Sequence, residues 1–183
     1  DLTLVTNSGS FVSGSHAVTV SGAATVSQLN SIDALTTGVV TASISDTGSN
    51  LAGLTITGPA VNVYTVTVTD AQSGSGGVTN LNTIDAATTG VVTATISGTA
   101  ANLASLTGVG NAYTVTVTDA PTVAQLNTLD AKTTGVISAA VSDTAANLVT
   151  LTGTNNAYAV TVTDAATIAQ LTTIDAATTS SIT

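Results

Sequence analysis

The sequence predicts an α/β fold, a right-handed solenoid of about seven coils in which each strand is followed by a short helix. Three observations carry that expectation. The phrase AYTVTVTDAPTVAQLNTLDAKTTG, Ala112 to Gly135, returns closely from Ala157 to Thr179, with an insertion from Val63 to Gly90, and loosely from His16 to Gly38. A shorter phrase alternates with it: VVTASISDTGSNLAGLT from Val39, VVTATISGTAANLASLTG from Val91 and VISAAVSDTAANLVTLTG from Val136. Within both phrases the apolar spacing changes from two to about three, as when a strand passes into a helix. Units this short cannot bury an apolar face alone and become stable by stacking on neighbours. An all-β helix of similar coil length is the alternative, because Thr and Val favour strands; the segments AQLNTLDA and AANLASL argue for helices.

Residues 1 to 15 fall outside the repeat and read as a first strand, a cap or an arm reaching another subunit, while residues 16 to 183 form the repeat region. The residue after each strand marks the coils as Gly22, Asp46, Asp70, Gly98, Asp119, Asp143 and Asp164, separated by 24, 24, 28, 21, 24 and 21 residues. Each coil opens in alternation, as with Tyr113, Val115 and Val117 against Thr114, Thr116 and Thr118, which predicts a strand with one buried and one hydroxyl-bearing face. The marker Asp or Gly is expected at the helix N-cap, with Pro121 inside a first turn. Val123, Leu126 and Leu129 then recur in steps of three, a brief α- or 3₁₀-helix with its apolar stripe inward. The closing TTG turns the chain back to the next parallel strand, a crossover expected to be right-handed. IDA or LDA tripeptides place Asp33, Asp85, Asp130 and Asp175 at spacings of 52, 45 and 45 residues. The additional length of the first interval falls in SGSGG after Asp70 and in ITGPAVN before Tyr64, both read as loops.

Composition restricts what such a chain can do. It has 43 % apolar residues but no Cys, Met or Trp, one Phe and three Tyr, so its core is built from Val, Ile, Leu and Ala. Without Cys there is neither a disulfide framework nor a thiolate metal site. The net charge is −9 and Lys132 is the one cationic side chain apart from His16; nucleic acid and anionic membrane surfaces are therefore not expected partners. Polar residues break every apolar run well short of the ~18 residues of a membrane span, so no membrane insertion is expected. Beginning at Asp1 and stopping soon after another short phrase opens, the chain reads as a mature or excised piece of something longer. Nearly every Ser and Asp belongs to the repeat, and His16 stands where other copies have Tyr64, Tyr113 and Tyr158, which read as core-edge packing residues. No catalytic residue is assigned, because a nucleophile, its base and an orienting acid are not set apart from the repeat.

In a solenoid each motif becomes a column, and three columns are candidates for function. Asp46, Asp70, Asp119, Asp143 and Asp164 are expected to cap helices; the sharper alternative is calcium held by converging carboxylates, the one cofactor considered. Asp33, Asp85, Asp130 and Asp175 lie near helix ends, where negative charge is disfavoured. They are read as structural Asp turns satisfying the following Ala-Thr-Thr-Gly backbone, as are Asn50, Asn102 and Asn147. The outward hydroxyls include Thr67, Thr69, Thr95, Thr116, Thr118, Thr161 and Thr163, in rows running Thr19, Ser43, Thr67, Thr95, Thr116, Ala140, Thr161. Such an array fits an ice-binding surface, an acceptor of O-linked glycan, or a wetted face on a nearly uncharged protein. No Asn-x-Ser/Thr sequon occurs.

The phrases TVTDAPTVAQLNTLDA and VSDTAANLVTL resemble the tandem repeats of very large secreted bacterial proteins, notably cyanobacterial ones, of surface-layer-like, adhesin-like or haemolysin-type character. The likeness covers about His16 to Ser180. It implies an extracellular or cell-surface setting and a scaffolding, fibre-forming or adhesive role. The glycine-rich calcium nonapeptide of haemolysin-type members is absent. The expectation is a non-enzymatic structural protein that partners itself, in a filament, surface layer or adhesin stalk.

Overall fold

The computed structural model describes residues 14–183, so most of the segment read as strand, cap or arm lies outside the described residues. Along β2, β3, β5, β6, β7 and β8 Thr, Ser or Ala alternates with Val, Ile, Ala or Tyr, and the apolar face of each strand is buried. In the first coils these are β1 (Val18–Thr19), β2 (Val40–Asp46), β3 (Val63–Val68), the two-residue β4 (Gln72–Ser73) and β5 (Val92–Gly98). Further along lie β6 (Ala112–Val117), β7 (Ile137–Asp143) and β8 (Ala157–Val162). All eight belong to one sheet, and every described pairing is parallel. The α/β class follows.

Helices of two kinds alternate between the strands. The longer ones are α1 (Val26–Asp33), α3 (Gly74–Ala86), α5 (Val123–Asp130) and α7 (Ile168–Ala176); the single turns are α2 (Gly48–Leu51), α4 (Ala100–Leu103) and α6 (Ala145–Leu148). Three of the longer helices open with the same capping box, Thr25 with Gln28, Thr122 with Gln125 and Thr167 with Gln170, which satisfies two otherwise orphaned N–H groups. The single turns have Thr47, Thr99 and Thr144 at the N-cap. The expectation that the marker Asp or Gly is the N-cap is therefore corrected: the cap is the Thr that follows it by one or three positions. Pro121 likewise precedes the cap of α5 rather than lying in its first turn.

The chain divides into two compact units, one made of the residues up to Asp70 with Thr79–Ala94, the other of Ala71–Val78 with Thr95–Thr183. In the first, β2 pairs with β1 through Val18↔Val40 and with β3 from Thr41↔Val63 to Asp46↔Val68; the start of β5 then joins β3 at Val66↔Val92. Its core is largely aliphatic, with Leu29, Ile32, Leu51 and Leu81 fully buried, as is Tyr64. In the second unit β7 lies between β6 and β8, in register from Val115↔Ile137 and from Ser138↔Ala157 to Asp143↔Val162. Leu126, Leu148 and Tyr158 are fully buried there. Each such aliphatic side chain contributes about 1.5–3 kcal/mol, so coils without a large centre still acquire a dry interior.

Two local readings are corrected. SGSGG after Asp70 is not a loop: its Ser73 ends β4 and α3 begins at Gly74, whose φ of +55° suits glycine. A Cβ on Gly77 would lie 2.9 Å from that of Gln72, so this first turn packs closely on the strand before it. The three Tyr are not at the core edge either, being second residues of β3, β6 and β8 with 0–1 % exposure. ITGPAVN remains irregular.

Candidate functional site

The polar side chains that the sequence singles out are mostly engaged between one coil and the next. In the first unit Thr88 Oγ1 accepts from the Tyr64 N–H at 2.6 Å and the Gly90 N–H at 2.9 Å and donates to the Tyr64 carbonyl at 2.9 Å. Thr133 does the same in the second unit, with Tyr113 N at 2.8 Å, Gly135 N at 3.0 Å and Tyr113 O at 2.8 Å. Thr178 repeats it against Tyr158, and Thr36 donates to the His16 carbonyl at 2.5 Å. His16 thus fills the Tyr slot of the first coil, as its sequence position suggests, but is exposed. The glycine of TTG is required by close approach, because a Cβ on Gly90 or Gly135 would meet the carbonyl of Tyr64 or Tyr113.

The second Asp column is built differently from the expected Asx turn. Asp33 reaches the next coil: Oδ2 accepts from the Thr57 N–H at 2.7 Å and its hydroxyl at 2.6 Å, and Oδ1 from Asn62 Nδ2 at 2.7 Å. Asn62 then accepts from the Val40 N–H at 2.9 Å. In the second unit Asp130 accepts from Asn156 Nδ2 at 2.8 Å and Asn156 from the Ile137 N–H at 2.9 Å. Asp85 is half-buried, whereas Asp175 on α7 is exposed. A second fork lies beside each clamp: Asn30 joins Gly53 O and Thr55 N, and Asn127 joins Thr150 O and Thr152 N. The sequence reading missed Asn62, Asn156, Asn30 and Asn127, although all recur at the same place in their phrases.

The marker column splits into two roles. Asp46 and Asp143 each accept from the next residue's N–H and from the amide of Asn50 or Asn147. These Asn therefore meet carboxylate rather than turn backbone. The contacts hold the Asp46 carboxyl below its ordinary pKa, the Asn50 amide contributing most and the Thr47 N–H next. Asp70, Asp119 and Asp164 instead cap the single-turn helix of the coil before them, accepting from Gly48 N at 2.6 Å, Ala100 N at 2.8 Å and Ala145 N at 2.7 Å. Strand stagger explains the crossing, since Asp46 lies opposite Val68, not Asp70. Among the described residues no group of three His, Cys, Asp or Glu is placed to hold a metal ion.

The same stagger changes the hydroxyl rows. Ser43 faces Thr65 rather than Thr67, Thr116 faces Ser138 and Ala140 faces Ala159. Thr67, Thr69, Thr95, Thr116, Thr118, Thr161 and Thr163 are all exposed, but the rows they join include alanine. Two open grooves recur at one place in the repeat, about 670 Å³ beside Asn30, Asp46 and Asn50 in the first unit and about 350 Å³ beside Asn127, Asp143 and Asn147 in the second. They offer amide and carboxylate groups that are already paired. The Tyr64 and Tyr158 hydroxyls are buried with no hydrogen-bond partner among the described residues. Burial raises both phenols well above their ordinary pKa, and the charge of Asp33 or Asp130 adds to the effect.

Comparison with protein-family models, curated proteins and solved structures found no match. Among the described residues no helix is long and apolar enough to cross a membrane.

Proposed function

We propose that this chain is a non-enzymatic structural protein of the cell exterior, a subunit of a fibril, filament or surface-layer-type assembly built by end-to-end packing of its repeats. The observation that carries this reading is the use of its polar side chains. Asp33, Asp130, Asn62, Asn156 and the first Thr of each TTG or TTS, Thr88, Thr133 and Thr178, bind one coil to the next. A parallel strand edge also propagates by adding another strand. The extracellular setting rests on the resemblance of TVTDAPTVAQLNTLDA and VSDTAANLVTL to repeats of large secreted bacterial proteins.

Electron microscopy of the purified chain, with calcium and with chelator, tests the assembly. Filaments in both conditions are expected. Filaments only with calcium would move the reading to a calcium-dependent adhesin stalk, and dispersed particles throughout would overturn self-assembly.

A further inference from the structure

We propose that the outward face of the parallel sheet is a lateral self-association surface, on which the same face of a second copy of this chain lies. It adds a sideways contact to the end-to-end one proposed above and does not depend on it. Along the six long strands alternate residues are buried and those between them are exposed or half-buried. A parallel sheet ordinarily has both faces covered, and here one face is open. The openness belongs to the body of the repeat rather than to a chain end, since it holds for β2 and β7, which have strands on both sides.

Charge identifies the occupant. The chain carries a net charge of −9, yet none of the Asp from Asp33 to Asp175 is an outward strand residue. Asp46 and Asp143 take the inward phase of β2 and β7, and the others lie outside the strands, as do Lys132 and His16. The outward residues of the six strands are Thr, Ser or Ala, with Val63 the exception. A charged partner would find nothing to pair with on this face. Two copies repel through their carboxylates, and this is the face by which they can approach with no charge between them.

In the second unit the face also fits itself in shape. Register places Ala140 beside Ala159, with Thr116 and Ser138 in the row on one side and Ser142 and Thr161 in the row on the other. The two alanines make a furrow between hydroxyl-bearing ridges. A two-fold axis sets a ridge of each copy into the furrow of the other, an isologous contact, in which Thr and Ala methyl groups pack as in a dry interface between sheets. A hydroxyl entering it can bond along its own row, as Thr161 Oγ1 does with Thr183 Oγ1 at 3.3 Å.

Area sets the strength. A strand of six or seven residues presents about 100 Å² of sheet face, from a strand spacing of about 4.8 Å and a rise of about 3.3 Å per residue. A standard interface takes about 800 Å² per partner, or about eight such strands, and this chain has six. The pairing is therefore weak between single chains and strengthens with every coil added to the array.

Sedimentation of the full chain over a range of concentrations, in about 0.1 M and about 1 M salt, tests the face. Reversible dimers are expected, favoured by salt because it screens the carboxylates. Ala140→Asp should weaken dimerisation at least about tenfold by facing like charges, and Ala159→Gln as much by filling the furrow. Ala146→Asp, at an exposed position on α6, should leave it unchanged. Circular dichroism melts check that each variant folds. A chain lengthened by repeating Ala112–Asn156 gains two strands and should dimerise at least about tenfold more tightly. Monomers throughout at both chain lengths, dimers indifferent to Ala140→Asp and Ala159→Gln, or dimers dissolved by salt would overturn the proposal. So would thermal hysteresis from a monomeric chain that Ala159→Gln abolishes, which would give the face to ice. Dimers with the expected variant pattern but no filaments would overturn the end-to-end reading and leave the lateral face standing. Single-width filaments unaffected by Ala140→Asp would do the reverse.

Discussion

Asp33 and Tyr64 lie in one coil-to-coil junction and pull its stability in opposite directions. Asp33 is 2 % exposed and accepts three hydrogen bonds. Replacing it by Ala leaves the buried Asn62 amide without an acceptor, at about 1–3 kcal/mol, and removes two further charge-assisted bonds from exposed Thr57. Asp33→Ala should therefore lower stability by at least about 2 kcal/mol in urea titration, while the same change at exposed Asp175 should fall within about 0.5 kcal/mol. Tyr64 and Tyr158 carry the opposite sign, because their hydroxyls are buried without a partner. Tyr64→Phe should be neutral or stabilising by about 1 kcal/mol. Both phenols are raised by burial and by Asp33 or Asp130. The neutral form favours folding fully below the unfolded tyrosine pKa near 10, and that contribution fades as pH climbs beyond it toward the folded value. Loss of structure above about pH 10 should be delayed in Tyr64→Phe/Tyr158→Phe, and an unchanged alkaline limb would exclude this cause.

Among the elements, the single-turn helices are the most sensitive to their caps, since four residues cannot sustain a helix unaided. Thr99 accepts from the Asn102 N–H at 3.3 Å, whereas Thr144 makes no side-chain cap bond. Thr99→Ala should cost about 1 kcal/mol and Thr144→Ala distinctly less; equal losses in thermal melts would show that the Asp of the following strand supplies the whole cap. Strand and helix positions were legible because their periods are local, two for Thr-Val and about three for Val123, Leu126 and Leu129. The caps were misread because Asp143 and Thr144 are adjacent and both able to cap. What decides between them is the neighbouring strand, which brings Asp164 to the Ala145 N–H. Likewise nothing local announces that Asp33 faces Asn62, 29 residues later. A column inferred from equal sequence position runs straight, but the sheet is staggered, so Asp46 lies opposite Val68 and Ala140 opposite Ala159.

For the whole molecule, the relevant quantity is the reach of these bonds. The Thr133 and Asp130 links span 20 to 26 residues, one coil and no more. Removing one 45-residue period from the second unit, Ala112–Asn156, brings Ala157 to follow Asn111 and restores each kind of neighbour. That deletion should still fold cooperatively, with its urea m-value reduced by about a quarter, in proportion to surface; a non-cooperative transition would show that the period is not a self-consistent module. The alternation of coils was readable from the sequence, and so was the use of its apolar faces as stacking surfaces. Which polar groups join the coils became plain only with the register.

The short reach also bears on synthesis. A hydroxyl such as that of Thr133 closes on the backbone of Tyr113, 20 residues earlier, so a coil emerging from the ribosome waits only for its successor. At about 5–20 residues per second, that wait is a few seconds. However many coils the gene encodes, the apolar surface exposed to chaperones at any moment is that of the newest one.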